Sequence, residues 1–600
     1  MAQKQRISIK IAGAQGQGAG SGGQGLTKVF KRAGLHVFGL FDFMSLIKGG
    51  HSFYQITLSD QEVYAGAKKS HVLVSFDPQN VEDTISDIKT LHEGALFIVD
   101  DSTPINPQIE EAVKNVGAHL CLFPMVKFAT EIGGNKIMSN TVALGGVVGL
   151  LNLPFQILDS VVRENFGTKS QQLADSNSAV AKAGYDYAIA NVASKFTFSL
   201  PKIAPESNIP KQMLINGNDA IAMGAYAGGC RFVSAYPMTP GTTVFEWFTK
   251  RNAKIGAVTK HVEDEIAAAC MAIGAGQIGA RAMTSTSGGG FCLMVEAIGL
   301  AGMTEVPVVI VNAMRGGPST GLPTRTEQPD LLFAVYSSHG EFPKVVLTPG
   351  TIEECYEAGY RAHNFAEKYQ VPVIILTDLQ LAEQVRDTDP NFYALPIVDR
   401  GKLLSKADID KLETQYLRYE FSEDGVSPRG LQGHPKTVYA PATDEHDETG
   451  HITEDAANRI KMMDKRMQKL ETARKEIKGP KLFGPENADL TLIVWGSTVG
   501  AAREAVQLFN EDESNKEKIN LLHFSEVWPF PVEATTEALK KVKYTVCVEQ
   551  NYTNQFAKLL LTETGYSVNK KINRYDGRPI TPEDLKVEAK NILKEVLTLA

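Results

Sequence analysis

The sequence predicts an α/β protein made of three α/β modules in series. Short apolar runs of strand length alternate with amphipathic stretches of helix length, and this alternation restarts twice along the 600 residues. At 43% hydrophobic and 22% charged, the chain can fill several cores.

Residues 1–200 form the first module. The segments at 7–12, 36–41, 72–76 and 95–99 are apolar enough to be buried strands, with amphipathic stretches between them. That pattern predicts a parallel sheet with helices on its faces. The Pro-containing connector 201–210 marks a boundary. Residues 211–387 begin again, with strands expected at 232–235, 282–286, 308–311, 344–347 and 371–376. The Ala/Gly-rich segment 265–279 between them suits a helix packed closely on a sheet or a neighbouring subunit. Residues 388–485 are a linker, then a loop over 416–451 rich in Gly, Pro, His and acids. A charged helix follows, with Ile460, Met463, Met467 and Leu470 at helical spacing. Residues 486–600 form the last module, with strands expected at 490–495, 519–524 and 544–549 and a helix at 501–509.

A net charge of −8 and the lack of a basic stripe argue against nucleic-acid binding. The longest apolar run, near 142–151, falls well short of the ~20 residues that span a bilayer. The first residues follow a strand pattern rather than that of a signal peptide. A cytoplasmic protein without a membrane role is expected. The six cysteines include no Cys-x-x-Cys pair, so neither a zinc ribbon nor a ferredoxin-type cluster is encoded locally. They are expected to be reduced thiols.

The first candidate motif is the loop from Gly13 to Gly25. Gly18-x-Gly20-x-x-Gly23 fits a dinucleotide fingerprint, and Asp42 ends the next strand at about the expected offset. An NAD-dependent dehydrogenase is therefore one reading. So many glycines make some match inevitable, and a structural or phosphate-binding turn is the other reading. Lys48 and His51 follow as loop or interface residues.

Three segments in the middle carry more chemistry. Tyr236-Pro237-Met238-Thr239-Pro240 follows a strand, and its prolines fix the backbone that presents the Thr239 hydroxyl. In open α/β sheets, ligands bind at that strand edge. Glu263-Asp264-Glu265 opens the Ala-rich helix, where acids can simply complement the dipole. Arg315, just past a strand, heads a Gly-rich loop reaching Thr324; an Arg in such surroundings needs an anionic partner. Ser319 and Arg325 are secondary candidates with loop stabilisation as the plainer role.

In order and wording, these segments resemble the alpha subunit of 2-oxoacid:ferredoxin oxidoreductases with the gamma domain fused at the N-terminus. The likeness runs over nearly the whole chain; the family's Tyr-Pro-Ile-Thr-Pro differs here only at Met238. Ser45–His51 is similar to the gamma domain. The resemblance implies a gamma domain at 1–200 and a pyrimidine-side thiamine diphosphate-binding domain at 211–387. It implies a transketolase C-terminal-like domain at 486–600. It also implies that Glu265 meets the cofactor's pyrimidine nitrogen as the catalytic carboxyl, beside Tyr236 and Pro237. Thr239, Arg315 and Thr324 would bind the oxoacid.

No Gly-Asp-Gly segment is present to hold Mg²⁺ and a diphosphate. In the family, a separate beta subunit supplies that site and a [4Fe–4S] cluster. The resemblance therefore implies a shared site in an (alpha-beta)2 assembly, electrons passed to ferredoxin, and CoA as acyl acceptor. The expected reaction is oxidative decarboxylation of a 2-oxoacid to acyl-CoA, or its reverse in CO₂ fixation. The fused layout is most similar to 2-oxoglutarate enzymes; pyruvate and branched-chain substrates share the motifs. A scaffold subunit with a degenerate site is the non-enzymatic alternative. Asp424–Arg429 and Glu445–His451 hold His and carboxylates that suit a metal, but a solvated loop covering the active site is the preferred reading, and no metal is assigned to this chain.

Overall fold

A computed structural model describes residues 5–45, 49–203 and 212–599. Lys48 and most of the 201–210 connector lie outside the described residues. The chain forms two compact units. One comprises 1–215 with 384–390 and 581–587; the other comprises 216–383, 391–580 and 588–600.

The first unit is built on an eight-stranded sheet. In spatial order its strands are His119–Phe123, Leu91–Asp100, Ser70–Ser75, Arg6–Ala14, His51–Ser59, His36–Phe43, Val385–Thr388 and Met213–Asn216. Two features depart from the expected parallel sheet. His51–Ser59 runs antiparallel to both its neighbours, Arg6–Ala14 and His36–Phe43. The seven residues joining Phe43 to His51 are too few for a crossover, so the chain must turn back as a hairpin. Val385–Thr388 also returns from beyond the second sheet to pair with His36–Phe43.

The hairpin bears on the dinucleotide reading. Asp42 lies two strands from the Gly-rich turn, about 10 Å, because His51–Ser59 intervenes. A dinucleotide fold requires the acid on the strand beside that turn. Close packing explains at least one of the glycines. A β-carbon on Gly23, in the helix Ala19–Arg32, would stand 2.1 Å from the Tyr54 ring. His51 is also occupied, pairing with Asp87 at 3.1 Å. The apolar run near 142–151 is a helix, Ser139–Leu150, packed on Gln171–Asn191. Among the described residues, no helix is long and apolar enough to cross a membrane.

The second unit holds two sheets. The central one has seven strands in the order Glu526–Trp528, Val345–Leu347, Pro372–Asp378, Val308–Met314, Ala282–Thr286, Phe232–Ala235 and Val258–His261. All are parallel except Glu526–Trp528, an antiparallel edge strand contributed by the last module. The third sheet orders Lys481–Phe483, Ile519–Phe524, Leu490–Trp495, Thr545–Glu549 and Lys570–Asn573. One apolar core joins both, with Met294, Ile298 and Ile310 packed in the same cluster as Trp495, Phe524 and Phe556. Gln328 adds a polar clamp: its side chain donates to the Trp495 carbonyl at 2.9 Å and accepts from the Gln550 amide at 2.9 Å. The expected third module thus shares a core with the second.

Candidate active site

Every candidate segment of the central unit leaves the carboxyl end of a parallel strand. Tyr236–Pro240 follows Phe232–Ala235, and Glu265 follows Val258–His261. Ser287–Gly290 follows Ala282–Thr286, and Arg315–Arg325 follows Val308–Met314. This edge is where open α/β sheets bind ligands.

The Arg315 guanidinium donates to the Thr239 carbonyl at 2.7 Å. Burial lowers its pKa, and no described carboxylate acts to raise it. Among the described residues the cation therefore has spare donors and no carboxylate partner, which suits a ligand carboxylate. Asn218, fully buried, donates to the Pro240 carbonyl at 2.8 Å and braces the same turn. A β-carbon at Gly241 would lie 2.3 Å from the Thr286 carbonyl, so the turn rests directly on the next strand. Tyr236 and Pro237 are exposed at the rim. Thr324 is buried in the loop 315–325, which closes on itself through Leu322 N–H to Gly316 O at 2.8 Å. Ser319 is exposed, and Arg325 helps to close the loop through its backbone.

The three acids at 263–265 behave differently. Glu263 and Asp264 are exposed, and Asp264 caps the helix Glu265–Gln277 by accepting from Ala267 N–H at 2.8 Å. Glu265 is only 3% exposed, and its Oε1 has no hydrogen-bond partner. A buried carboxylate oxygen left without a donor is costly. A ring nitrogen that shares a proton with it would remove that cost, so the residue fits the pyrimidine of thiamine diphosphate. The space beside it depends on Gly290, where a β-carbon would stand 2.6 Å from Glu265 Oε1 and 2.1 Å from Thr286 Oγ1.

The sequence reading assigned no role to several buried polar groups at this edge. Thr284 Oγ1, Ser285 Oγ, Ser287 Oγ and Asn312 Oδ1 are all buried without a partner. Asn312 donates to Asp330 Oδ2 at 3.1 Å, and burial raises the Asp330 pKa to about 6. Only strand register, which pairs Thr286 with Asn312, shows that these residues meet.

The 416–451 segment differs from the solvated cover expected for it. Arg418 is buried and donates to Gln370 Oε1 and the Glu305 carbonyl, each at 2.8 Å. Arg429 is buried and donates to Gly276 O, and Gln277 donates to Tyr439 Oη at 2.6 Å. These contacts hold the segment at the carboxyl end of Glu265–Gln277, about 18 Å along the helix from Glu265. Within this chain it does not cover the candidate site. Glu445 is engaged by Arg459 and Arg466.

Family models match three successive parts of the chain. Residues 8–187 match pyruvate ferredoxin/flavodoxin oxidoreductase. Residues 223–465 match the thiamine diphosphate-binding part of pyruvate flavodoxin/ferredoxin oxidoreductase. Residues 488–585 match core domain II of pyruvate:ferredoxin oxidoreductase. A 2-oxoacid:ferredoxin oxidoreductase alpha subunit from Sulfolobus is 34% identical, covering 98% of this chain and 97% of its own. The 2-oxoglutarate synthase subunit KorA of Methanothermobacter thermautotrophicus is 33% identical over 62% of this chain and 97% of its own. Among solved structures, the 2-oxoglutarate:ferredoxin oxidoreductase of Magnetococcus marinus, with 2-oxoglutarate, coenzyme A and succinyl-CoA bound, superposes at a TM-score of 0.88. It is 31% identical and covers 98% of this chain and 100% of its own.

Proposed function

This chain belongs to the 2-oxoacid:ferredoxin oxidoreductase family as an alpha subunit, and from that premise we propose that it supplies the pyrimidine-side half of a shared thiamine diphosphate site that acts on 2-oxoglutarate. The observation that carries this is the meeting, at a single sheet edge, of a buried carboxyl whose Oε1 has no partner, Glu265, and a cation on which no described carboxylate acts, Arg315. Full-length similarity to the M. marinus 2-oxoglutarate enzyme supports the choice of substrate.

Thiamine diphosphate, when bound, supplies the nucleophile and the electron sink for loss of CO₂ from a 2-oxoacid. Glu265 holds a proton at Oε1 for the pyrimidine nitrogen, in a site too enclosed for bulk water to compete. Arg315 and the hydroxyls of Thr239 and Thr324 orient the oxoacid carboxylate and carbonyl. Fixed donors of this kind need little reorganisation as charge develops. Tyr236 and Pro237, exposed at the rim, would contact the cofactor. A beta subunit supplies the diphosphate and Mg²⁺ site and a [4Fe–4S] cluster. Electrons leave singly to ferredoxin, CoA takes the acyl group, and the assembly is (alpha-beta)2. In this division of labour, 1–200 is the gamma domain, 211–387 the cofactor half-site and 486–600 the transketolase C-terminal-like domain.

The test is native purification of the tagged chain, followed by mass spectrometry, a visible spectrum and an oxoacid panel. A brown complex with a cysteine-rich second chain, reducing ferredoxin fastest with 2-oxoglutarate and CoA, is the expected result. A colourless chain that purifies alone would overturn the shared-site reading. Faster turnover of pyruvate or a branched-chain oxoacid would overturn the substrate alone.

A further inference from the structure

Two of the orphaned polar atoms described above, on Thr284 and Asn312, share one face of the sheet. Thr284, Thr286 and Asn312 lie on one face of two adjacent parallel strands, with Thr286 opposite Asn312 in register. That face also carries Ile310, which packs in the cluster containing Phe291 and Met294 of the helix Gly288–Met303. At one end of the polar line, Thr286 Oγ1 and Glu265 Oε1 both crowd the point where a Gly290 β-carbon would stand. At the other, Asn312 Nδ2 donates to Asp330 Oδ2 at 3.1 Å, and Asp330 Oδ2 lies 3.0 Å from the β-carbon position of Gly288. The first helical turn Gly288–Gly290 therefore stands between two carboxyl groups, and its lack of side chains lets both pack closely against it.

Along this face, Asn312 Oδ1 and Thr284 Oγ1 are buried with no protein partner among the described residues. A polar pocket with two to four such partners is what an ordered water requires. Asp330 is half-buried rather than enclosed, so it stands between this interior line and the surface. Its charged surroundings are sparse. No ionised group acts on it appreciably from the strands, from Gly288–Met303 or from the last module, which meets it through Gln555 at Pro329 and Leu332. The Cys292 thiol is a titratable neighbour, and Asp330, after burial, helps to raise its pKa.

The geometry points to Asp330 as the outer station of a proton relay that runs through one ordered water, held by Asn312, and the Thr286 hydroxyl to Glu265. Asp330 gives a proton inward, the water and the Thr286 hydroxyl each pass one on, and Glu265 Oε1 gains one. Solvent then reprotonates Asp330, so the donors are restored and the one net change is the proton, taken from solvent, that Glu265 has gained. Asn312 does not carry the proton; it holds Asp330 through Nδ2 and orients the water through Oδ1. A carboxyl that titrates near neutrality, as burial makes this one do, can both give and regain a proton under working conditions.

The relay rests on the reading of Glu265 as the carboxyl facing the pyrimidine, and the test separates the two. In the complete complex loaded with thiamine diphosphate, hydrogen–deuterium exchange at the thiazolium C2 position is followed by quenched NMR, without oxoacid or ferredoxin. Cofactor affinity is measured in parallel by calorimetry. Asp330→Asn and Asn312→Leu are expected to slow exchange roughly tenfold or more and to remove the inflection near pH 6 from its rate profile. Cofactor affinity should stay within about twofold, with Asp330→Glu restoring much of the rate. If both variants exchange at the wild-type rate while Glu265→Gln does not exchange, the relay is wrong and Glu265 keeps its role. If Glu265→Gln also exchanges normally, the underlying reading fails too. A loss of cofactor affinity in Asp330→Asn equal to its loss of exchange would make Asp330 structural and overturn the relay.

Discussion

The Arg315 guanidinium donates to the Thr239 carbonyl across 2.7 Å, so one bond ties together the loops that leave two strands of the central sheet. The same bond points the guanidinium along the turn that presents the Thr239 hydroxyl. With no carboxylate to neutralise it, Arg315 is held ready for an anion. Replacing it by Ala should cost about 1.5–3 kcal/mol of kcat/KM for the oxoacid. Thiamine diphosphate affinity should be little changed. Lys should recover only part of the loss, because a compact ammonium cannot bond the Thr239 carbonyl and grip a carboxylate with a planar fork. Steady-state kinetics of both variants over a range of oxoacid concentration decide this. An unchanged kcat/KM in Arg315→Ala would remove it from the substrate site.

Glu265→Gln keeps the size of the side chain and removes its ability to hold a proton. The helix Glu265–Gln277 is capped by Asp264, so folding should be preserved. Decarboxylation should fall by at least about 100-fold, the usual worth of a positioned acid or base. Thermal melting and single-turnover CO₂ release, measured on the same preparation, separate loss of structure from loss of chemistry. Full activity in a well-folded variant would revive a scaffold role.

How far the sequence shows this site follows from which constraints are local. Thr239 and Arg315 stand just beyond apolar strands, so their shared edge could be read from pattern alone, whereas the strand before Glu265, Val258–His261, is polar and largely exposed and gives no such signal. The burial of Glu265 against the exposure of Glu263 could not be read that way, because it depends on how Glu265 packs against Thr286 at the end of one strand and Gly290 in the helix that follows it. The strand His51–Ser59 was not among those expected, and its place is fixed by antiparallel pairing with Arg6–Ala14 and His36–Phe43 rather than by its own residues. The 416–451 segment looked solvated because its composition is polar. Its Arg418 and Arg429 are in fact buried against backbone carbonyls far away in sequence. Composition reports such groups as surface, whereas tertiary pairing decides where they lie.

Gly290→Ala tests the packing around Glu265 without touching a functional side chain. The added methyl would stand 2.6 Å from Glu265 Oε1 and 2.1 Å from Thr286 Oγ1, so at least one of them must move. Strain of ~1–3 kcal/mol is partly offset by the ~1 kcal/mol that Ala gains over Gly in a helix. The melting temperature should therefore fall only modestly. Activity should fall much further, since displacing a catalytic group by about 1 Å can cost ~100-fold. A variant that keeps wild-type turnover would show that Glu265 has freedom this packing denies it.

Lys344 offers a pH test of the central unit that is independent of catalysis. Its ammonium is buried, donating to the Val335 carbonyl at 3.0 Å and the Ser337 carbonyl at 2.9 Å, with no acid among the causes acting on it. Burial lowers its pKa from the usual 10.5 to about 8. Below about pH 8 the lysine is protonated in both the folded and unfolded chain, so it contributes no slope. Between about 8 and 10.5 the unfolded chain binds more protons, and stability rises with pH, by up to about 3 kcal/mol when the burial penalty is fully relieved. Lys344→Met abolishes this contribution, so the difference in stability between wild type and variant should shift toward the wild type across that window. Urea midpoints at about pH 7.5, 9 and 10 measure it. Parallel pH profiles for the two proteins would mean that the two carbonyls hold Lys344 charged throughout, and that burial does not depress it.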